Sequence, residues 1–265
     1  LFYFLSYCYN ITMDKYLQLI ILVVFLYIIY LYIKLHLKTN KLEREFTSIV
    51  NHTFRTPLTR INWISKELEK DLPQKEKMLH IQNLNNATNK VLEIVDLFAG
   101  IKNINDNSSY FFEAVSIRDI VEESIVKHRE EISKKNIIFN VSTFKDIPLL
   151  TLDTKKISFV IDSLIENAIL YTQAGGEVSI DSAHDGQKLI LLVQDNGMGL
   201  HFRDKIKIFS RFYRSKEAVL KNPDGMGLRL YLSKEIIKRH NGKIYTKSNK
   251  QNKGATFFIE LPFSK

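Results

Sequence analysis

His52 is the residue around which chemistry can be built. It stands in IVNHTFRTPLT, two positions from Phe54, a member of an apolar helical stripe. At about 100° per residue, His52 faces about 200° away from that stripe, toward solvent. There a neutral imidazole can act as a nucleophile or a proton carrier. Thr56 lies four residues on, on the same helix face and one turn away. Far downstream, Asp195-Asn196-Gly197-Met198-Gly199 sets a carboxylate ahead of two glycines that let the backbone turn tightly and approach a ligand. A calcium loop is the alternative for this pattern, but it would need further Asp at alternate positions. The single cysteine, Cys8, leaves no basis for an intrachain disulfide or a Cys zinc cluster.

The string around His52 resembles the phospho-acceptor box of two-component sensor histidine kinases, with His52 as acceptor and Arg55, Thr56, Pro57 and Leu58 matching the tail. The family's other boxes follow in order. FVIDSLIENAILYT (159–172) resembles the N box, which implies Asn167 as a magnesium ligand, with Tyr171 one turn on. Asp195, Gly197 and Gly199 fit the D-x-G-x-G box, whose Asp accepts a hydrogen bond from the adenine amino group. IFSRFYR (208–214) resembles the F box of a mobile lid, with Arg211 and Arg214 as candidates for phosphate charge. Gly225, Gly227 and Leu228 match the loop whose N–H groups cradle phosphates at a helix N-terminus. Thr256, in Gly254-Ala255-Thr256-Phe257, fits the terminal strand. The resemblance implies ATP and Mg2+ as ligands, phosphotransfer from ATP to His52 and then to an Asp of a response regulator receiver domain, and a homodimer. Thr56 matches the position that orients water for dephosphorylating the regulator.

Four positions depart from the family pattern. Thr53 replaces the carboxylate beside the acceptor, Ser163 the first Asn of the N box, Leu170 a Lys or Arg that contacts phosphate, and Arg229 a Gly at the helix start. A Thr hydroxyl is no base at neutral pH. These departures set an alternative beside the active kinase: an ATP-binding scaffold or regulator phosphatase with weak or no autokinase activity.

Positioning these residues requires an α+β chain. Residues 17–35, LQLIILVVFLYIIYLYI with its flanks, approach the roughly 20 apolar residues that cross a bilayer as a helix. Residues 1–16 form a short N-terminal segment; the opening on Leu1, with Met13 before the apolar run, reads as a truncated or mis-assigned start. Lys34, Lys38, Lys41 and Arg44 follow the span, which places the catalytic part in the cytoplasm of a single-pass inner-membrane protein. Over 36–104, two stripes separated by Pro73 predict a helical hairpin: Val50, Phe54, Leu58, Ile61, Ile64 and Leu68, then Ile81, Leu84, Val91, Val95 and Phe98. Pairing with a second copy into a four-helix bundle would bury them. From 110 to 265, alternating helical and β-branched segments predict the helices-on-sheet ATP-binding domain, which the resemblance makes an α/β sandwich of the Bergerat (GHKL) type. The segment NINDNSS (103–109) between them reads as a hinge.

The 38 basic and 29 acidic residues give a net charge of +9. The basic residues are scattered, with no recognition helix or aromatic-basic platform, so nucleic acid is not the expected partner.

Overall fold

In the computed structural model, which describes residues 53–104, 106–142, 144, 147–248 and 254–263, α1 covers residues 53–68 and α2 is Gln74–Asn103. Pro73 sits at the N-cap of α2, where its missing N–H costs nothing. The hairpin closes on itself: Phe54 stacks on Phe98 with ring centroids 6.0 Å apart, and Trp63 meets His80 edge-on at 5.9 Å. Its buried face carries Ile64 from α1 and Ala87, Ile94 and Leu97 from α2. That differs from the predicted stripe. Leu58 on α1 is exposed, and so are Ile81 and Val95, because α2 has apolar residues on two opposite faces and periodicity alone does not choose between them. Val50 and His52, like the apolar run 17–35, lie outside the described residues. Among the described residues no helix is long and apolar enough to cross a membrane.

Past a 3-10 turn at Asn107–Ser109, β1 (Glu113–Val115) pairs antiparallel with β3 (Leu150–Leu152) in a two-stranded sheet. Ser116 opens α3 (Ile117–Lys127) by accepting the Asp119 N–H. The helix breaks at His128, and α4 is Arg129–Lys134. The main sheet has five strands in the order β2 (Ile138–Val141), β4 (Glu177–His184), β5 (Lys188–Asp195), β7 (Ala255–Pro262), β6 (Lys243–Ser248). Only β2 and β4 run parallel; the other neighbours are antiparallel.

The helix α5 (Thr154–Tyr171) begins where Asp153 Oδ1 accepts the Lys156 N–H at 2.9 Å. Its apolar face, with Ile157, Val160, Ile161, Leu164 and Ala168, joins one core with Val178, Ile180, Leu189 and Leu191 of the sheet. The helix α8 (Arg229–Arg239) packs beside it through Ile236 and Ile237. It stops at Asn241, whose φ of +55° reverses the chain so that the Gly242 N–H reaches Ile237 O at 2.9 Å. Between β5 and α8 lie two short helices, α6 (Asp204–Lys207) and α7 (Lys216–Lys221).

Candidate functional site

The alternation that buries Leu189, Leu191 and Val193 on β5 also turns Asp195 inward, so the strand's last residue sets a carboxyl group into the core. It is 5% exposed. Its Oδ1 accepts the Gly197 N–H at 2.8 Å and the Ala255 N–H at 3.3 Å. Burial pushes its pKa up to about 6, with those two bonds working against the rise. Both bonds fall on Oδ1, so among the described residues Oδ2 is left to accept a ligand N–H. Gly197 is needed beside it because a Cβ there would lie 2.5 Å from Tyr171 O.

The wall of the pocket is α5. Asn167, Leu170 and Tyr171, at helical spacings of three and four, present one face to it. Burial raises the Tyr171 pKa, and the nearby Arg214 opposes that rise. Ser163 faces the other way: it is fully buried, and its hydroxyl donates to Phe159 O at 2.7 Å, one turn back. The departure from Asn at this position is therefore absorbed by the core and does not alter the pocket lining. At the C-terminal end of α5, Lys135 Nζ donates to Ile169 O at 2.6 Å and Leu170 O at 3.2 Å, supplying a cation to the last carbonyls of the helix.

Residues 200–228 fold over the opening. Ile208 and Phe209 are buried, and Phe209 meets Phe257 of β7 edge-on at 6.3 Å. The Tyr213 hydroxyl donates to Asp204 Oδ1 at 2.5 Å, which ties the F-box segment to α6 and pushes the phenol pKa up to about 12. Arg214 has a different occupation from the expected phosphate contact. Its guanidinium donates to Pro223 O at 3.0 Å, Gly225 O at 2.8 Å, Ala218 O at 2.7 Å and also Asn222 O, so it holds α7 against the glycine loop. Arg211 lies over the Phe212 ring, 5.0 Å from its centroid, away from the pocket lining.

The pocket thus gathers Asn167, Tyr171, Asp195, Gly199, Arg214, Gly225, Gly227 and Leu228. Gly197 supports its floor from behind. Thr256 is buried on β7 opposite Gln194 and leaves the lining to its neighbours Ala255 and Phe257. Thr56 is exposed on α1, while Thr53 is buried, where a carboxylate would carry a desolvation penalty. Sequence reasoning missed Lys90, Glu93 and Glu166, which line the same pocket. Lys90 and Glu93 come from the hairpin helix α2, and no local pattern ties them to the pocket residues of α5, more than seventy positions away.

Residues 152–265 match the family described as histidine kinase-, DNA gyrase B- and HSP90-like ATPase. Over 235 residues the chain is 30% identical to the sensor histidine kinase WalK of Bacillus subtilis, covering 85% of this chain and 38% of that protein. The chain therefore spans well under half the length of that relative. The nucleotide-free catalytic domain of the histidine kinase ThkA superposes with a TM-score of 0.52 at 31% identity, over 58% of this chain and 99% of that domain. A structure of ThkA in complex with the response regulator protein TrrA gives a TM-score of 0.63 at 27% identity, over 83% of this chain and 61% of the other.

Proposed function

The chain belongs to the sensor histidine kinases and carries their ATP-binding domain, and from that premise we propose that it transfers the γ-phosphoryl group of ATP to His52 and then to an aspartate of a response regulator. The observation that carries this reading is the buried Asp195 carboxyl with a free acceptor oxygen, set beneath a glycine-bearing lid and beside Asn167. In this reading Asp195 Oδ2 accepts the adenine amino hydrogen, and the N–H groups around Gly225 and Gly227 hold phosphates. Asn167 would offer magnesium a hard amide oxygen, and the ion would supply neutralisation of phosphate charge there. The His52 imidazole attacks the γ-phosphorus, the bond to the ADP oxygen breaks, and the ring N–H proton leaves to solvent. In this reading a motion of the ATPase domain about residues 103–109 presents the nucleotide to His52.

Further parts of the reading rest on other features. The second apolar face of α2, Ile81, Leu92 and Val95, is exposed in one chain and suits pairing with a second copy into a four-helix bundle. Residues 17–35 serve as the membrane anchor, with the catalytic part in the cytoplasm. The ThkA–TrrA complex supports a receiver domain as the partner.

Leu170 lines the pocket where the family places a cation, which favours a second reading, a chain biased toward dephosphorylating the regulator. A phosphorylated receiver domain mixed with the chain and ADP tests it. The expected result is an aspartyl-phosphate lifetime shortened at least about tenfold, with most of that effect lost in Thr56→Ala, because an oriented water gains a comparable factor from positioning. A lifetime unchanged by the chain removes the phosphatase reading.

A further inference from the structure

Arg229, the first residue of α8, joins three elements at the edge of the pocket. Its Nη1 lies 2.6 Å from Glu166 Oε2 on α5. Its Nη2 and Nε lie 2.8 and 3.1 Å from Glu93 Oε1 on α2. The guanidinium also sits over the Phe159 ring, 5.8 Å from its centroid. Lys90, nearly one turn earlier on α2, donates to the other oxygen of Glu93 at 2.8 Å. All four charged residues line the same pocket as Asn167 and Gly227.

One side chain thus ties the hairpin to the ATPase domain with groups that a phosphate competes for. We propose that Arg229 is a phosphate-sensing latch: without nucleotide it holds α2 through Glu93, and the phosphates of ATP draw its guanidinium away and free the hairpin. This rests on the ATP reading above.

Three features support it. A guanidinium fork donates to phosphate oxygens as well as to carboxylate oxygens, and the polyphosphate carries more charge than one carboxylate. The Arg229 and Glu93 side chains are 27% and 28% exposed, so the pair is neither sealed in the core nor fully screened by water. With Leu170 in place of a cation, the basic side chains lining the pocket are Lys90, Arg214 and Arg229, and of these Arg214 is engaged by four carbonyl oxygens.

The two carboxylates also set the direction of the change. Glu93 and Glu166 share the one Arg229 guanidinium. Burial raises the Glu93 pKa, but Lys90 and Arg229 outweigh it and hold the carboxyl below its ordinary range. Once Arg229 turns to phosphate, Glu93 faces Glu166 and the nucleotide with less compensation, and repulsion moves α2 outward. The rest of the seam is modest: Leu97 and Gly100 on α2 and Ile104 just past its end line a cavity with Leu232 and Ile236 on α8.

The test is titration of the full chain with ATP and, separately, adenosine, for wild type, Glu93→Gln, Arg229→Lys and Arg229→Gly. A dye pair on α2 and α8 reports their separation. Glu93→Gln removes the competitor and is expected to tighten ATP severalfold, while Arg229→Gly weakens ATP about tenfold, within the usual range of coupling between sites. Arg229→Lys, which keeps the charge without the fork, falls between wild type and Arg229→Gly. Adenosine, which lacks phosphate, stays within about twofold throughout. ATP lengthens the α2–α8 distance in wild type and not in Arg229→Gly. The latch is overturned if the variants shift ATP and adenosine alike, or if ATP leaves the distance unchanged. If wild type binds neither ligand, the nucleotide reading fails first and the latch falls with it.

Discussion

Replacing Asp195 by Asn is expected to weaken ATP binding about a hundredfold and, at the same time, to make the nucleotide-free protein more stable at pH 8. The loss follows from polarity. Asp195 offers an acceptor at the pocket floor, and Asn would point N–H donors at the donor amino group of adenine. A buried polar mismatch of this kind costs about 1–3 kcal/mol. The gain follows from burial. The folded carboxyl has a pKa of about 6 against an ordinary 3.8, so between those values the folded chain holds a proton that the unfolded chain has lost. That contribution to stability is complete below about pH 4 and is lost as pH rises through 6, above which the ionised carboxylate burdens the fold. Two pKa units correspond to about 3 kcal/mol as an upper bound. Asn has no such penalty, so its melting temperature should exceed that of wild type at pH 8 and approach it near pH 4. For wild type, ATP affinity should fall as the pH is lowered through 6. Titrations and thermal melts at the two pH values check both halves; unaltered ATP affinity in the variant would remove Asp195 from the adenine site.

Gly254→Ala should abolish folding or lower the melting temperature by about 10 °C or more. Gly254 has φ of +81°, and an added Cβ would stand 1.7 Å from Asp195 O and 2.7 Å from the Asn196 Cα. Both neighbours are backbone, locked by the Gly254 N–H bond to Gly197 O at 3.0 Å and by the β5–β7 ladder that ends there. The clash has no flexible side chain to absorb it, which places the cost above about 3 kcal/mol. Gly186 is the matched control. It has the same φ of +81° with nothing within 4 Å of an added Cβ, so Gly186→Ala carries only the conformational penalty of about 1–2 kcal/mol. Thermal unfolding of the two variants separates backbone strain from steric collision; equal losses would contradict the packing described for the pocket floor.

Much of the ATPase part was legible from residue patterns. The span of α5, Thr154–Tyr171, and that of β6, Lys243–Ser248, follow from local periodicity and from capping and turn residues that act within a few positions. The inward turn of Asp195 follows from strict alternation along β5. What escaped depends on contacts distant in sequence. The pairing of β1 with β3 joins three-residue segments nearly forty positions apart, too short to carry a pattern. The choice of buried face on α2 depends on α1 and α8, not on α2 itself. Arg214 matches a phosphate-contacting position in type, yet its surroundings offer four carbonyl oxygens that a planar five-donor group satisfies better than any other side chain. Arg229 reads as an anomaly in a glycine-rich loop until Glu93, 136 residues away, is placed beside it.

The central claim is that this pocket delivers a phosphoryl group to His52. The most direct measurement is incubation of the chain with magnesium and γ-labelled ATP, alongside His52→Ala, followed by a test of whether the protein-bound label is acid-labile and base-stable. The account predicts such label on the wild-type chain and none on His52→Ala. Label that persists in His52→Ala, or a wild-type chain that binds ATP and never acquires label, would contradict it.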